Sequence, residues 1–305
     1  MTDTILEPTI SPEEIQIDVT LRPKSLVDFV GQPRLKKSLE LALSAAKKRG
    51  EPIDHVLLYG PPGLGKTTLA HIIASMQGGS IHVTTGPALT RAGDLAALLT
   101  NLEAGDVLFI DEIHRLNKVV EETLYSGMED HRLDLVLGKG PAARTVSVDL
   151  KPFTLVGATT RYGALSGPLR SRFGIINKLE YYSVDDLSSV LTRSSAILNI
   201  TLELGAVGSL ASRSRGTPRI ANRLLRRARD TAQINYQGHL SKEAVAETVK
   251  LLEIDDLGLD ASDRELLEHI IKHHHGGPVG VETLASALSE DAGTIEEVYE
   301  PYLIQ

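Results

Sequence analysis

The chain has 305 residues, a formal net charge of −8, 42% hydrophobic residues, 4% aromatics, and neither Cys nor Trp. This length accommodates two or three domains with a core each, and the lack of cysteine excludes disulfides, thiolate metal sites and cysteine nucleophiles. The acidic balance speaks against a protein coated in nucleic acid while allowing a local basic groove, and so few aromatics make base stacking a minor theme.

Asp3, Glu7, Glu13, Glu14 and Asp18 precede the first basic residue, Arg22, so the start lacks the basic and apolar segments of a signal peptide. No apolar run approaches membrane-spanning length, and the expectation is a cytoplasmic protein without a membrane partner. From about residue 25 to 180, β-rich runs alternate with helical periodicity, the pattern of a parallel sheet covered on both faces. Strands are predicted at 55–59, 80–84, 106–110 and 154–159.

The first strand, His55 to Tyr59, runs into Gly60-Pro61-Pro62-Gly63-Leu64-Gly65-Lys66-Thr67-Thr68. Gly60 and Gly65-Lys66-Thr67 fit G-x-x-x-x-G-K-[ST], and Leu69, Ile72 and Ile73 continue at helical spacing, so the loop sits between a strand and a helix as a phosphate cradle requires. Glycines let backbone N–H groups approach phosphates, and the helix start adds partial positive charge. Lys66 is expected to reach the outer phosphates and the Thr67 hydroxyl to ligate Mg²⁺. The strand Val107 to Ile110 ends in Asp111-Glu112, which places one carboxylate to hold Mg²⁺ through its water shell and another to orient or deprotonate water.

Leu133 to Leu137 and Thr145 to Leu150 each alternate with period two around Gly138-Lys139-Gly140-Pro141, predicting a hairpin with one apolar face. The strand ending in Thr159 is followed by Thr160, which could meet a γ-phosphate or the lytic water or be an ordinary strand-end threonine. Arg172 follows Pro168-Leu169-Arg170-Ser171, and Arg219 lies in the first turn after Thr217-Pro218, where a cation opposes the helix dipole. Either arginine could answer bound phosphate, Arg172 from a neighbouring subunit and Arg219 in its own, or be a solvated surface charge.

Residues 184–254 read as wholly helical, with Thr217 as N-cap and Pro218 at the first helical position. Arg215, Arg219, Arg223 and Arg227 recur every fourth residue, with Arg226 and Arg229 nearby, as a basic helical stripe that either meets nucleic acid or faces acidic groups of the ATPase domain or solvent. Capping boxes are predicted at Ser262-Asp263-Arg264-Glu265 and Thr294-Ile295-Glu296-Glu297, with a break at Gly276-Gly277-Pro278. Three short helices there suggest a helix-turn-helix module.

Together with Asp111-Glu112-Ile113-His114-Arg115-Leu116, Gly157-Ala158-Thr159-Thr160-Arg161 and the run from Arg215 to Arg227, the phosphate loop resembles the RuvB family of bacterial AAA+ ATPases, which drive Holliday junction branch migration. The resemblance runs from about Leu21 to Gln305; further diagnostic segments are Gly86-Pro87 with Ala92-Gly93-Asp94-Leu95, Gly140-Pro141-Ala142-Ala143-Arg144, and Gly276-Gly277-Pro278-Val279-Gly280. It implies an α/β P-loop AAA+ domain with a parallel sheet at 1–182, a small all-α lid at 183–254 and a winged-helix domain at 255–305 that ends before its wing.

It also implies ATP and Mg²⁺ as cofactors. The phosphates would lie on Gly63, Gly65, Lys66, Thr67 and Thr68, the metal on Thr67 and Asp111, and the adenine against Leu21 and Arg22 with Tyr182 and Pro218 nearby. Glu129-Asp130-His131 resembles a nucleotide-contacting element at the subunit edge, Arg172 a finger acting in trans, and Arg219 a second sensor. Catalysis would rest on Lys66, Asp111, Glu112, Thr160, Arg172 and Arg219. The hairpin 133–150 resembles the element that docks on RuvA. The implied assembly is a homohexamer around duplex DNA of a Holliday junction, with RuvC joining in the resolvasome.

The sequence differs from the family pattern in two places. Ser126-Gly127 replaces the usual Pro-Ala, expected to alter only loop stiffness, and the chain ends where family members continue into an arginine-bearing wing. The remaining recognition helix, around Ile295 to Glu300, carries Glu296, Glu297 and Glu300 and is expected to be a poor independent reader of DNA. The reading from another class is a nucleotide-switched, clamp-loader-like assembly module that moves nothing.

Overall fold

A computed structural model describes residues 18–137 and 144–305. The chain divides into two compact units, Pro23–Glu180 and a second formed by Tyr181–Gln305 with the described residues up to Arg22. No helix among the described residues is long and apolar enough to cross a membrane.

The first unit is built on five parallel strands in the order β2-β3-β6-β1-β7. These are β1 (Val56–Tyr59), β2 (Ile81–Thr85), β3 (Val107–Asp111), β6 (Thr154–Thr159) and β7 (Ile175–Lys178). Val56, Leu57 and Leu58, like Val107 to Ile110, are apolar without a break and fully buried, as strands covered on both faces must be. Helix α1 (Pro33–Arg49) precedes β1, and α2 (Lys66–Gln77), α3 (Ala92–Thr100), α4 (Lys118–Glu129) and α5 (Gly167–Ser171) lie in the connections between the strands. Leu95, Leu99, Val120 and Leu124 pack with Leu108, Ile110 and Leu155 in the core. The predicted strands fall within a residue of the observed ones, but β7 was not predicted. It is an edge strand of four residues with Ile176 still 40% exposed, so it presents neither a continuous apolar run nor a clean alternation.

After α4 the chain forms an antiparallel hairpin, β4 (Arg132–Leu137) and β5 (Arg144–Asp149), whose register sets Leu133 opposite Val148 and Leu135 opposite Val146. Leu133 is fully buried whereas Val146 is 42% exposed, so the apolar positions are buried at the base and open farther out. The predicted turn at 138–141, and residues 140–143 of the family segment, lie outside the described residues. Ser126-Gly127 proves to lie inside α4 and not in a loop; Gly127 is buried against Leu99, Leu133 and Leu150, so the change concerns helix propensity and packing.

In the second unit, α6 (Val184–Ile197), α7 (Leu204–Ser212), α8 (Pro218–Asn235) and α9 (Lys242–Leu251) form a helical group. It is not wholly helical: β8 (Thr201–Leu202) pairs in parallel with β9 (His239–Leu240). Pro218 opens α8 after Thr217, whose side chain makes no cap hydrogen bond, and Ala221, Leu224, Leu225, Ala228 and Ala232 form its buried face. The predicted stripe survives in part: Arg219, Arg223 and Arg227 lie on α8 at four-residue spacing, exposed or half-buried. Arg215 precedes the helix, buried, with φ 50°, and Arg226 is buried against Asp18.

The last segment packs α10 (Ala261–His274) and α11 (Val281–Leu288) against short helical turns from Ala292 to Leu303, through Leu266, Leu284, Ala285, Ile295 and Tyr299. The capping box of α10 is Asp260 with Asp263, not the predicted one from Ser262. Downstream, Asp291 accepts from Thr294 N, so the predicted box from Thr294 is also displaced by the acid three residues earlier. Ile295–Tyr299 is a π-helical turn that runs towards Pro301, which has no N–H to continue an α-helical ladder.

Candidate nucleotide site

Because β6 lies between β3 and β1, the carboxyl ends of these three strands are neighbours. Parallel α/β sheets bind ligands in the crevice at such strand ends. From β1 the chain enters the loop through Gly60 at φ 141°, where a Cβ would come within 2.5 Å of the Leu179 carbonyl oxygen, so only glycine fits. Gly63 and Gly65 also have positive φ, at 78° and 102°, and Gly65 leads directly into α2. No side chain caps α2 and no acid occupies its first turn, so the N–H groups and partial positive charge there are available to phosphate. The Lys66 ammonium donates to Gly60 O at 2.8 Å and Pro61 O at 2.9 Å, curled over the loop it would leave for a stronger acceptor. Thr67 and Thr68 are half-buried on the first turn.

Asp111 closes β3, and its Oδ1 accepts from Glu112 N at 3.0 Å. Glu112 itself has φ 48° and ψ 45°, a left-handed conformation that a non-glycine residue holds only under constraint. Its carboxylate lies 3.2 Å from His114 Nδ1, and Thr160, just past β6, donates to it at 3.4 Å. The oxygen-only donor set of Thr67 and Asp111, with a loop whose Gly63 and Gly65 hold positive φ and a helix start that no side chain caps, fits Mg²⁺ carried in with phosphates.

Arg172 belongs to a second cluster in the same unit. Its guanidinium donates to Glu129 at 3.0 Å and to Pro168 O at 2.8 Å, and lies 4.2 Å from the centroid of the Tyr125 ring. Tyr125 and Ser166 both hydrogen-bond the Glu121 carboxylate. Burial, then the bond to Glu121, raises the Tyr125 hydroxyl above its ordinary pKa and keeps it a donor. Arg172 is therefore not the solvated surface charge that sequence left open. Asp130 is exposed beside Glu129, and His131 follows at φ 49°, its carbonyl accepting from Leu150 N at 2.7 Å.

The remaining expected residues belong to the other unit. Leu21 and Tyr182 are buried; the Leu21 carbonyl accepts from Arg193, and Tyr182 N donates to Gly216 O at 2.9 Å. Pro218 and the exposed Arg219 begin α8. Burial disfavours the charged form of Arg22, Asp18 opposes that shift, and the charge of Arg219 adds to it least.

Three family models match in succession: the P-loop domain of the Holliday junction DNA helicase RuvB at residues 21–179, the RuvB AAA lid domain at 182–255, and the RuvB C-terminal winged helix domain at 256–305. The chain belongs to the RuvB family. The solved structure of the Thermotoga maritima RuvB Holliday junction branch migration motor is 55% identical, with TM-score 0.86, covering 94% of this chain and 91% of that one. A mutant of Thermotoga maritima RuvB gives the same identity and TM-score, covering 93% of this chain and 91% of its own.

In this RuvB-family chain, two residues beside the strand ends carry contacts that sequence reasoning did not assign. His114 and Thr159 both lie in the quoted segments, but only their meeting across β3 and β6, with Thr159 Oγ1 2.9 Å from His114 Nδ1, reveals them. Adjacency of His114 to the acidic pair was the available signal.

Proposed function

We propose that this chain is an ATP-hydrolysing DNA motor that drives Holliday junction branch migration as a subunit of a homohexameric ring. The observation that supports this most is the strand order β3-β6-β1, which sets side by side the carboxyl ends that lead into Lys66, Asp111, Glu112 and Thr160 in a RuvB-family chain. Hydrolysis breaks the bond between the β–γ bridging oxygen and the γ-phosphorus, in line with an attacking water. Lys66 leaves its loop carbonyls for the outer phosphates, and the N–H groups around Gly63, Gly65 and Thr68 hold their oxygens. Thr67 and Asp111 hold Mg²⁺, which supplies charge neutralisation when bound. Glu112 orients the water and accepts its proton, with Thr160 on the γ-phosphate or the water.

Arg172 of a neighbouring subunit and Arg219 of the same one meet the charge that develops on the γ-phosphate. Leu21, Arg22, Tyr182 and Pro218 hold the base, and Glu129, Asp130 and His131 contact nucleotide at the subunit edge. The hairpin 133–150 docks RuvA, and the motor works on duplex DNA in the cytoplasm, with RuvC in the resolving complex.

The test is strand exchange on a mobile Holliday junction with RuvA and ATP. Movement that requires ATP and disappears in Lys66→Ala is expected. ATP hydrolysis without junction movement would overturn the motor reading in favour of a nucleotide-switched assembly module.

A further inference from the structure

We propose that His114 is a positioning residue that holds the Glu112 carboxylate through Nδ1–H and releases it by turning the same hydrogen to Thr159. The inference rests on the reading of Glu112 as the group that activates water. Its basis is that one ring nitrogen lies within reach of two partners. His114 Nδ1 lies 3.2 Å from Glu112 Oε2 and 2.9 Å from Thr159 Oγ1, and the imidazole side chain is only 8% exposed. The contact with Thr159 has hydrogen-bond geometry, whereas Glu112 lies within ion-pair distance; an ionised carboxylate only accepts, so a bond to Glu112 needs hydrogen on Nδ1, and one hydrogen makes one well-aligned bond at a time. A hydroxyl can both donate and accept, so Thr159 can take that bond when Glu112 turns away.

Thr159 also touches the phosphate loop. Its carbonyl accepts from Gly60 N at 3.2 Å, and its hydroxyl accepts from Arg161 N at 3.0 Å. Gly60 N, Thr159, His114 and Glu112 thus form a short chain from the first loop glycine to the acid. A phosphate that shifts the loop moves Thr159 and so changes which partner His114 serves. The left-handed backbone of Glu112 suits such an arrangement, because a conformation held under constraint is one that a lost side-chain bond relaxes.

Steady-state ATP hydrolysis and fluorescent-nucleotide binding, measured on the full chain with DNA, test this. His114→Leu keeps an apolar side chain of similar size without the donor; kcat is expected to fall at least about tenfold with KM within about twofold. His114→Asn, whose amide N–H stands where Nδ1 does, is expected to recover most of that loss. Thr159→Val removes the releasing partner and is expected to lower kcat about threefold or more with nucleotide binding retained. Turnover of His114→Leu within twofold of the parent overturns the inference, as does a folded His114→Asn no better than His114→Leu. Should His114→Leu not fold, Thr159→Val decides: a parental kcat overturns the release step. Glu112→Gln is measured in parallel. Turnover there would defeat the reading of the site itself, whereas an inactive Glu112→Gln beside a fully active His114→Leu would defeat only the role of His114.

Discussion

Arg172 and Arg215 make the same two kinds of contact, in different units, with opposite consequences. Each guanidinium lies over a tyrosine ring, Tyr125 at 4.2 Å and Tyr302 at 5.3 Å, and each pairs with carboxylate. The partner of Arg172 is Glu129, whose side chain is 55% exposed, whereas Arg215 at 4% meets Asp260 at 5% and Asp263 at 0%. A pair with one partner in water contributes little and separates easily. A pair closed off from water cannot lose one member without stranding the other. Arg172 is thus placed for a charge that can be handed to another partner, while Arg215 is a fixed joint between the loop before α8 and the cap of α10.

The largest effects test the first half of this contrast. Arg172→Ala should reduce turnover of the assembled protein about a thousandfold, as loss of a phosphoryl-transfer arginine does, while leaving the thermal unfolding midpoint nearly unchanged. Lys66→Ala and Glu112→Gln should each lower turnover at least about a hundredfold with folding intact. Parental turnover in Arg172→Ala would make Arg172 as structural as Arg215.

The second half is tested by stability. Arg215→Met leaves two buried acids without their cation and should cost about 3 to 5 kcal/mol in urea unfolding, with much of it regained on adding Asp263→Asn. The same pocket gives a pH dependence. Burial raises the Asp263 carboxyl to about 6, against the pull of Arg215. Since the folded state then binds a proton that the unfolded state has lost, stability of this unit falls as pH rises from about 4 to about 6 and levels off above. Asp263→Asn should flatten that slope in pH-dependent urea melts. The smallest effect is Glu129→Ala, expected to change stability by less than about 1 kcal/mol because the pair with Arg172 is half in water.

The same contrast explains what could be read in the sequence. The place of the glycine loop between β1 and α2 was legible because its glycines, Lys66 and Thr67 are contiguous and follow a buried strand. Asp111 and Glu112 were legible because the run before them is so plainly a buried strand. Arg215 was counted with the helical stripe of Arg219, Arg223 and Arg227 because its partners, Asp260 and Asp263, are remote in sequence, and spacing of four residues says nothing about where a helix begins. Asp260 and Asp291 were passed over as caps because each lies just upstream of a better-known Ser or Thr pattern. For His114 the only local signal was its place two residues after Glu112; its contact with Thr159 depends on the adjacency of β3 and β6.

The most direct test of the central claim, that hydrolysis is completed between subunits, is ATPase measurement on mixtures of Arg172→Ala and Lys66→Ala proteins. Each alone should be inactive, and mixtures should regain turnover where an intact Lys66 site faces an intact Arg172. No recovery at any ratio, with mixed assembly demonstrated, would contradict the account.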